Sequence, residues 1–338
     1  MIDKYLEKIK SGQSLNAQEA QDCLNSILEQ DIDDQTIADL LISLAEKGED
    51  LAEIIGFSRA LISKTLPINL PKDSIDLCGT GGSSFNRFNI STTSAFILSA
   101  GDVAVVKHGN KGSKKPNGSF DLLEEIGCFI AAAPPVLEGI FSRTQLCFLF
   151  ARQFHPAMKK VAPARKIAAR RTIFNIIGPI CNPVQPDYQI IGTTNQKTAK
   201  LIAETLKAQG RKRCLIVVGE PGIDEISISG GSQIIELKDG ALQEYSLKPQ
   251  DFGIQPLDYG SIPCGDAKKN AEIFLGLLEK GEPASVLNML CLNSGAAFYC
   301  CGKVASIQAG YELSRSIISS GKAREKYQAF KKECAAIA

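Results

Sequence analysis

Apolar positions change their spacing near residue 70, which divides the chain into two parts. Before that point apolar residues recur at helical intervals, as in the stripe within residues 36–46, and predict short amphipathic helices through about residue 66. Asn16 and Glu19 have the spacing of a capping box, and Asp34 is placed to cap the helix of residues 36–46. The first part of the chain is therefore predicted to be all helical.

After Pro67 and Pro71, short apolar runs alternate with runs long enough for helices. The predicted strands are 74–78, 103–107, 146–150, 188–193, 214–219 and 233–237. The predicted helices include 91–101, 121–126, 195–209, 266–280, 284–300, 304–320 and 322–337. Such alternation predicts an α/β fold, with helices covering the faces of a sheet.

Length and composition agree with this pattern. The chain has 338 residues, 44% apolar and 22% charged, which is typical of a globular protein of about two domains and excludes disordered, collagen-like and coiled-coil classes. No internal repeat suggests a solenoid or propeller. No apolar run approaches the ~18 residues of a membrane span. Residues 1–9 mix charge with helical apolar spacing, which favours a helix over a signal peptide.

The cysteines favour a reducing compartment. There are 11, an odd number, without any C-x-x-C pair, and several lie inside apolar runs, as Cys147 and Cys291 do. This arrangement predicts buried thiols in a cytoplasmic protein rather than a zinc site or a disulfide framework.

The near-neutral charge hides a strong asymmetry. Lys and Arg total 38 against 37 Asp and Glu, but residues 1–76 carry 7 basic and 15 acidic residues. Residues 139–186 carry eight basic residues and no acid, and residues 103–120 carry four lysines and no acid. Charge runs are usually solvated surface, but each of these contains one of the two histidines together with Gly, Pro and Asn. The basic segments are therefore candidates for binding an anion.

A glycine loop follows the first predicted strand. Gly79-Thr80-Gly81-Gly82 precedes a helix start that begins with Asn89-Ile90-Ser91-Thr92. Glycine lets backbone N–H groups approach an anion, and a helix N-terminus adds partial positive charge. The loop lacks the Gly-Lys-Ser/Thr ending of a Walker loop and the last glycine of a dinucleotide fingerprint. An ordinary tight turn before a capped helix is the alternative interpretation.

Three further segments suit the same kind of ligand. The strand at 103–107 runs into a loop rich in lysine and glycine, typical of a lid over a polyanion, although a mobile surface loop is the alternative. Residues 154–179 place cations beside apolar side chains, where Arg165 could hold the carboxylate of an aromatic ligand; a nucleic-acid patch would look similar. Asp224 and Glu225 follow a predicted strand and suit Mg²⁺, although such surface pairs are common.

Together these segments resemble the anthranilate phosphoribosyltransferase family over essentially the whole chain. The matching motifs, in chain order, are Gly79–Gly82, Phe88–Thr92, Lys107–Asn110, His155–Met158, Val161–Pro163 with Arg165, Arg171–Asn175 with Gly178-Pro179, and Asp224–Ser227. The resemblance implies a small all-helical domain plus a large α/β domain with a central, mostly parallel sheet. The helical domain would comprise residues 1–66 and part of about 165–185, form a homodimer, and leave the remainder of 70–338 as the catalytic domain.

The resemblance also implies substrates and their contacts. The substrates would be phosphoribosyl pyrophosphate and anthranilate, with two Mg²⁺ ions. The residues expected at phosphoribosyl pyrophosphate are Gly79, Gly82, Ser83, Arg87, Asn89, Ile90, Ser91, Thr92, Lys107, His108, Gly109, Asn110, Lys111, Gly112, Ser113, Lys114, Lys115 and Ser119. Those expected at anthranilate are Gly79, His108, Asn110, His155, Met158, Arg165 and Gly178. Ser91 with Glu225 would hold one metal ion, and Asp224 with Glu225 the other.

No obligate general base is expected, because the amine of anthranilate is already a nucleophile. His108 is then an orienting or lining residue, and His155 is either a pocket wall or a structural histidine. Two departures from the family pattern stand beside the phosphate site: Ser83 replaces the usual Asp, and Arg87 replaces the usual Thr. Lys115, where Ser is common, is a milder one. Arg87 either binds phosphate more strongly or occupies the phosphate site, and we expect an active enzyme with altered affinity for phosphoribosyl pyrophosphate.

Two competing hypotheses remain at this point. A nucleoside phosphorylase of the same fold would share the glycine loop, but the segments around Lys107–Asn110 and Arg165 point away from it. A non-catalytic relative could bind nucleic acid through the basic segments, but it would not need Asp224 and Glu225.

Overall fold

The computed structural model describes residues 2–83, 85–112, 116–129 and 131–337. Its helices are α1 (Ile2–Lys10), α2 (Ala17–Glu29), α3 (Asp34–Lys47), α4 (Leu51–Ser63), α5 (Ile90–Ala100), α6 (Ser119–Glu125), α7 (Pro134–Thr144), α8 (Ala151–Phe154), α9 (Ala162–Ala168), α10 (Ile173–Ile180), α11 (Gln196–Ala208), α12 (Ala267–Lys280), α13 (Ala284–Cys300), α14 (Ile307–Ser319) and α15 (Lys322–Ala335). Its strands are β1 (Ile75–Gly79), β2 (Val105–Gly109), β3 (Leu146–Phe150), β4 (Tyr188–Gly192), β5 (Arg213–Gly219), β6 (Ser232–Lys238) and β7 (Ala241–Leu247).

The N-terminal helices begin at polar caps. The capping box at Asn16 is confirmed, because its side chain accepts from the backbone N–H of Glu19 at 2.9 Å and its own N–H donates to Glu19 Oε2 at 2.9 Å. The cap predicted for α3 was wrong by one residue. Asp33, not Asp34, accepts from the N–H of Thr36 at 2.9 Å, since Asp33 still has extended backbone and Asp34 is already helical.

The strands form one seven-stranded sheet with the order β3-β2-β1-β4-β5-β6-β7. The first five strands of that order run parallel, and β6 and β7 add an antiparallel hairpin. The six predicted strands are confirmed to within two residues at each end. The prediction missed β7, which is a polar edge strand with no fully buried residue. Its signal was the pair Asp239-Gly240, whose φ values of 49° and 79° make the two-residue hairpin turn.

Two hydrophobic cores cover opposite faces of the sheet. Ile190 and Leu215 point into a core shared with α5–α7 and α12–α15. Ile191 and Ile216 point the other way, into a core shared with α1–α4 and α9–α11. The period of two along β4 and β5 therefore divides their side chains between the two cores. Residues of α9 and α10 pack with the N-terminal helices, while the domain borders themselves stay a prediction.

The strand order creates a crevice at one edge of the sheet. After β1 the chain places β2 and β3 on one side and β4 and β5 on the other. In parallel sheets ligands bind where the order reverses in this way, outside the carboxyl ends of the strands. That point lies between β1 and β4. None of the described helices is long and apolar enough to cross a membrane, and the 11 cysteines are free thiols.

Candidate active site

The glycine loop after β1 and the carboxylate loop after β5 meet at this crevice. A Cβ atom on Gly79 would lie 2.2 Å from Asp224 Oδ2, and one on Gly192, at the end of β4, would lie 1.6 Å from the carbonyl oxygen of Asp224. Both positions therefore require glycine because the Asp224 loop crosses directly over them. The backbone N–H of Gly81 donates to Asp224 Oδ2 at 3.2 Å. Two segments that are remote in sequence thus form one surface.

Arg87 binds the other oxygen of the same carboxylate. Its guanidinium donates a short hydrogen bond to Asp224 Oδ1, and the Asp224 side chain is buried. The Asp224 charge is the main cause that raises the pKa of Arg87 above its ordinary value. Arg87, which was expected to bind phosphate, therefore binds Asp224, a predicted metal ligand. Ser83, the other departure, accepts a hydrogen bond from the N–H of Phe85 at 3.3 Å.

Glu225 differs from Asp224 in having a carboxylate oxygen without a hydrogen-bond partner among the described residues. Ser91, Asp224 and Glu225 line one cleft. Among the described residues, Glu225 Oε2 is enclosed and has no hydrogen-bond partner. Burial, with Asp224 beside it, raises the pKa of Glu225 to about 8. An enclosed carboxylate oxygen next to a hydroxyl is a donor set that fits a hard cation such as Mg²⁺.

An asparagine on α12 holds the start of α5 in place. Asn270 Nδ2 lies 2.9 Å from Asn89 Oδ1, 2.9 Å from Asn117 Oδ1 and 3.1 Å from the carbonyl oxygen of Arg87. Asn117 Nδ2 donates to the same carbonyl at 3.0 Å. These contacts join the N-cap of α5, the lysine-rich loop between β2 and α6 (residues 110–118) and α12. The sequence analysis missed Asn270, since nothing near it in the sequence indicates this role.

A second asparagine fixes the carboxylate loop. Asn293 on α13 accepts from the N–H of Ile226 at 2.9 Å and donates to the carbonyl oxygen of Ile226 at 2.9 Å. This pair of bonds replaces the backbone partners that a loop residue lacks. Asp224 and Glu225 are therefore presented on a rigid support.

Two buried ionisable side chains, Asp76 and Lys107, lie on the adjacent strands β1 and β2. Lys107 is 1% exposed, and its ammonium donates to the carbonyl oxygen of Leu77. Asp76 accepts from the N–H of His108 at 3.1 Å and from Asn182 Nδ2 at 2.9 Å. Burial raises the pKa of Asp76 to about 6 and lowers that of Lys107. In this structure Lys107 therefore binds the backbone of β1, the strand that leads into the glycine loop.

The two histidines, 47 positions apart in the sequence, are in contact. The rings of His108 and His155 pack edge to face with centroids 5.0 Å apart, and both residues are buried. Burial lowers the pKa of His155 to about 4 and that of His108 well below 6.5. Both imidazoles are therefore neutral at pH 7, which suits a pocket wall.

The described residues of the lysine-rich loop make hydrogen bonds and an ion pair with α6. Lys111 pairs with Glu124 at 2.6 Å, and the N–H groups of Gly112 and Gly118 each donate to Asp121 Oδ2 at 2.7 Å. Three predicted phosphate contacts lie outside the described residues: Ser113, Lys114 and Lys115.

The remaining predicted site residues differ in their exposure to solvent. Asn110 is exposed at the end of β2, and its Oδ1 accepts from the N–H of Lys111 at 2.9 Å. Ser119 begins α6 beside Gly109. The other positions are buried or half-buried: Ile90 and Thr92 in the first turn of α5, Met158 after His155, and Gly178 in α10.

Two arginines of the basic segment are half-buried, and one of them, Arg171, lies beside the glycine loop. Arg165 is half-buried with its guanidinium 5.7 Å from the ring centre of Phe174, and burial lowers its pKa. Arg171 Nη1 lies 3.7 Å from where a Cβ of Gly82 would be, and its Nη2 is enclosed without a hydrogen-bond partner in the described part of the chain. The sequence analysis quoted Arg171 in a motif but gave it no role. Its signal was an arginine directly before the capping box of α10.

The helical bundle, the mostly parallel sheet and the glycine loop at its switch point define a class of glycosyl transferases. Two family models agree: "Glycosyl transferase family, helical bundle domain" matches residues 3–65, and "Glycosyl transferase family, a/b domain" matches residues 71–324. Curated relatives are more specific. The anthranilate phosphoribosyltransferase of Methanobrevibacter smithii is 38% identical over 330 residues, covering 98% of each chain. That of Lactococcus lactis is 39% identical, covering 95% of this chain and 96% of the relative.

Solved structures show the same fold. Anthranilate phosphoribosyltransferase from Thermus thermophilus superposes with a TM-score of 0.91 at 32% identity, covering 98% of this chain and 99% of its own. The enzyme from Saccharomyces cerevisiae in complex with PRPP and Mg superposes with a TM-score of 0.88 at 23% identity, covering 99% and 98%. The chain belongs to the anthranilate phosphoribosyltransferase family.

Proposed function

We propose that this chain transfers the 5-phosphoribosyl group of phosphoribosyl pyrophosphate to the amine of anthranilate, releasing pyrophosphate, as a step of tryptophan biosynthesis. The observation that carries the proposal is the crevice between β1 and β4. There the glycine loop, the first turn of α5 and the Asp224-Glu225 loop converge in a chain 38% identical to a curated enzyme of this name. A nucleoside phosphorylase or a nucleic-acid-binding relative has no comparable support.

The residues of the crevice suit the charges that the reaction develops. Breaking the bond from ribose C1 to pyrophosphate builds positive charge on the sugar and negative charge on the leaving group. The glycine loop and the first turn of α5 would bind the pyrophosphate through backbone N–H groups and the Ser91 hydroxyl. Mg²⁺, which is named with PRPP in the yeast complex, would be held by Glu225 and Ser91 and would neutralise charge on the leaving group.

The second substrate would lie against the basic segment. Arg165 supplies a cation for the anthranilate carboxylate, and the neutral pair of His108 and His155 supplies a flat, uncharged wall. Asn110 adds an amide at the entrance. The amine needs no strong base before it attacks. The contribution of the protein is therefore to hold the amine near C1 while the leaving group departs.

The direct test mixes the protein with anthranilate, phosphoribosyl pyrophosphate and Mg²⁺ and follows the loss of anthranilate fluorescence. The chain contains no Trp, so its own emission is low. We expect turnover that EDTA abolishes and that Glu225→Gln lowers at least ~100-fold. Glu244→Gln is the matched control, since Glu244 is exposed on β7 and pairs only with Lys200 in the described contacts. Absence of turnover at micromolar enzyme would refute the proposal.

The oligomeric state and the cellular compartment are proposed from the same family membership. We propose a homodimer formed through the helical unit, in the cytoplasm. An exposed Ile167 on α9, at 45% of its full exposure, supports an interface on this unit, and free cysteines suit a reducing compartment. Sedimentation should give a dimer, and Ile167→Glu should weaken it. A monomer at tens of micromolar would contradict the proposal.

A further inference from the structure

We propose that Arg87 takes the place of one of the two metal ions, so that this site binds phosphoribosyl pyrophosphate with a single Mg²⁺ on Glu225 and Ser91. The inference rests on the proposed function and goes beyond it by assigning Arg87 a role. The first observation is that each oxygen of the Asp224 carboxylate already accepts a hydrogen bond. Its Oδ1 accepts from Arg87, its Oδ2 accepts from the N–H of Gly81 at 3.2 Å, and its side chain is 2% exposed.

The position of Arg87 is built into the fold. Its carbonyl oxygen accepts from Asn117 Nδ2 at 3.0 Å and from Asn270 Nδ2 at 3.1 Å, so the backbone that carries the guanidinium is held from two sides. Its side chain is 34% exposed, and an arginine guanidinium is charged at every pH at which a protein folds. The guanidinium is therefore a permanent cation on the metal side of the crevice.

The charges of the crevice favour one ion over two. Asp224 and Glu225 together carry two negative charges when ionised, and Arg87 reduces this to one. A single Mg²⁺ then makes the site positive by one, which suits a pyrophosphate leaving group. A second Mg²⁺ on Asp224 would have to displace the guanidinium or lie against it, at a cost in repulsion between two desolvated cations.

Glu225 is the residue that still needs a cation. Its Oε2 is enclosed and lacks a partner in the described part of the site, whereas each oxygen of Asp224 accepts one hydrogen bond. The two neighbouring carboxylates thus have different tasks. Asp224 holds Arg87 and the glycine loop together, and Glu225 with Ser91 presents oxygen ligands to the metal.

The test measures Mn²⁺ and radiolabelled phosphoribosyl pyrophosphate bound at equilibrium dialysis, without anthranilate. We expect one Mn²⁺ per bound substrate in the wild type and in Arg87→Lys, which keeps the charge. We expect two in Arg87→Met, which keeps the length and removes the charge. A ratio of two in the wild type, or of one in Arg87→Met, overturns the inference while leaving the proposed function standing.

A second measurement does not depend on the variants. Anomalous scattering from wild-type crystals with Mn²⁺ and phosphoribosyl pyrophosphate should show one peak per chain, at Glu225, with Arg87 still on Asp224. A peak on Asp224 with Arg87 displaced overturns the inference. If neither wild type nor variants bind phosphoribosyl pyrophosphate, the proposed function fails, and the inference fails with it.

Discussion

The buried histidine pair makes the pH dependence of stability a test of the pocket. His155 is 5% exposed, and burial lowers its pKa from 6.5 to about 4. The unfolded chain therefore binds a proton at higher pH than the folded one. Stability is fully present above pH 6.5 and is lost as the pH falls toward 4. At about 1.4 kcal/mol per pH unit, this one group costs about 2.5 kcal/mol at pH 4.5 relative to pH 7.

The assay is urea unfolding of the wild type and His155→Asn at pH 7 and pH 4.5. Asp76 also titrates abnormally, but both proteins share it and its contribution cancels. Burial, and His155 packed against it, lower the pKa of His108, so the difference between the two pH-dependent losses reports the histidine pair. We expect the wild type to lose about 2.5 kcal/mol more than the variant. Proton NMR offers a check, because the chain has only two histidines and both should titrate well below the ordinary pKa of 6.5. A difference below about 0.5 kcal/mol, or a ring that titrates near 6.5, would refute the reasoning.

Three further substitutions probe the site in turnover assays. Gly79→Ala should lower kcat/KM at least ~100-fold, because the new Cβ would lie 2.2 Å from Asp224 Oδ2. The control Gly139→Ala on α7 should have little effect, because its Cβ would face only the end of the Arg143 side chain at 3.5 Å, and equal activities of the two variants would contradict this expectation. Asn270→Ala should raise KM for phosphoribosyl pyrophosphate about tenfold and cost about 1–3 kcal/mol of stability in urea, since Asn89 Oδ1 and Asn117 Oδ1 lose a donor and the carbonyl of Arg87 keeps only Asn117 Nδ2. An unchanged KM would rule out the positioning role. Arg171→Gln should raise the same KM at least tenfold, with Arg171→Lys recovering part of it, because its Nη1 lies beside Gly82 and its Nη2 is enclosed without a partner in the described part of the chain. Identical kinetics for both variants and the wild type would exclude a phosphate contact.

Much of the molecule follows from local patterns in the sequence. Hydrophobic spacing predicted the helical start and six strands, because a period near 3.6 or 2 is imposed by the element itself. The capping box at Asn16 was equally local, since its two partners lie three residues apart. The motifs identified the family, and the switch point of the sheet explains why they gather at one edge.

The roles of individual side chains depended on contacts between distant parts of the chain. Arg87 meets Asp224 across 137 positions, and Asn270 reaches the carbonyl of Arg87 across 183. Lys107 is charged and stands in a polar motif, yet the fold buries it against Leu77. The sequence by itself determined which elements form and which chemistry is present. Only the tertiary structure decided which oxygen meets which cation, because burial and pairing depend on what the rest of the chain places within hydrogen-bond distance.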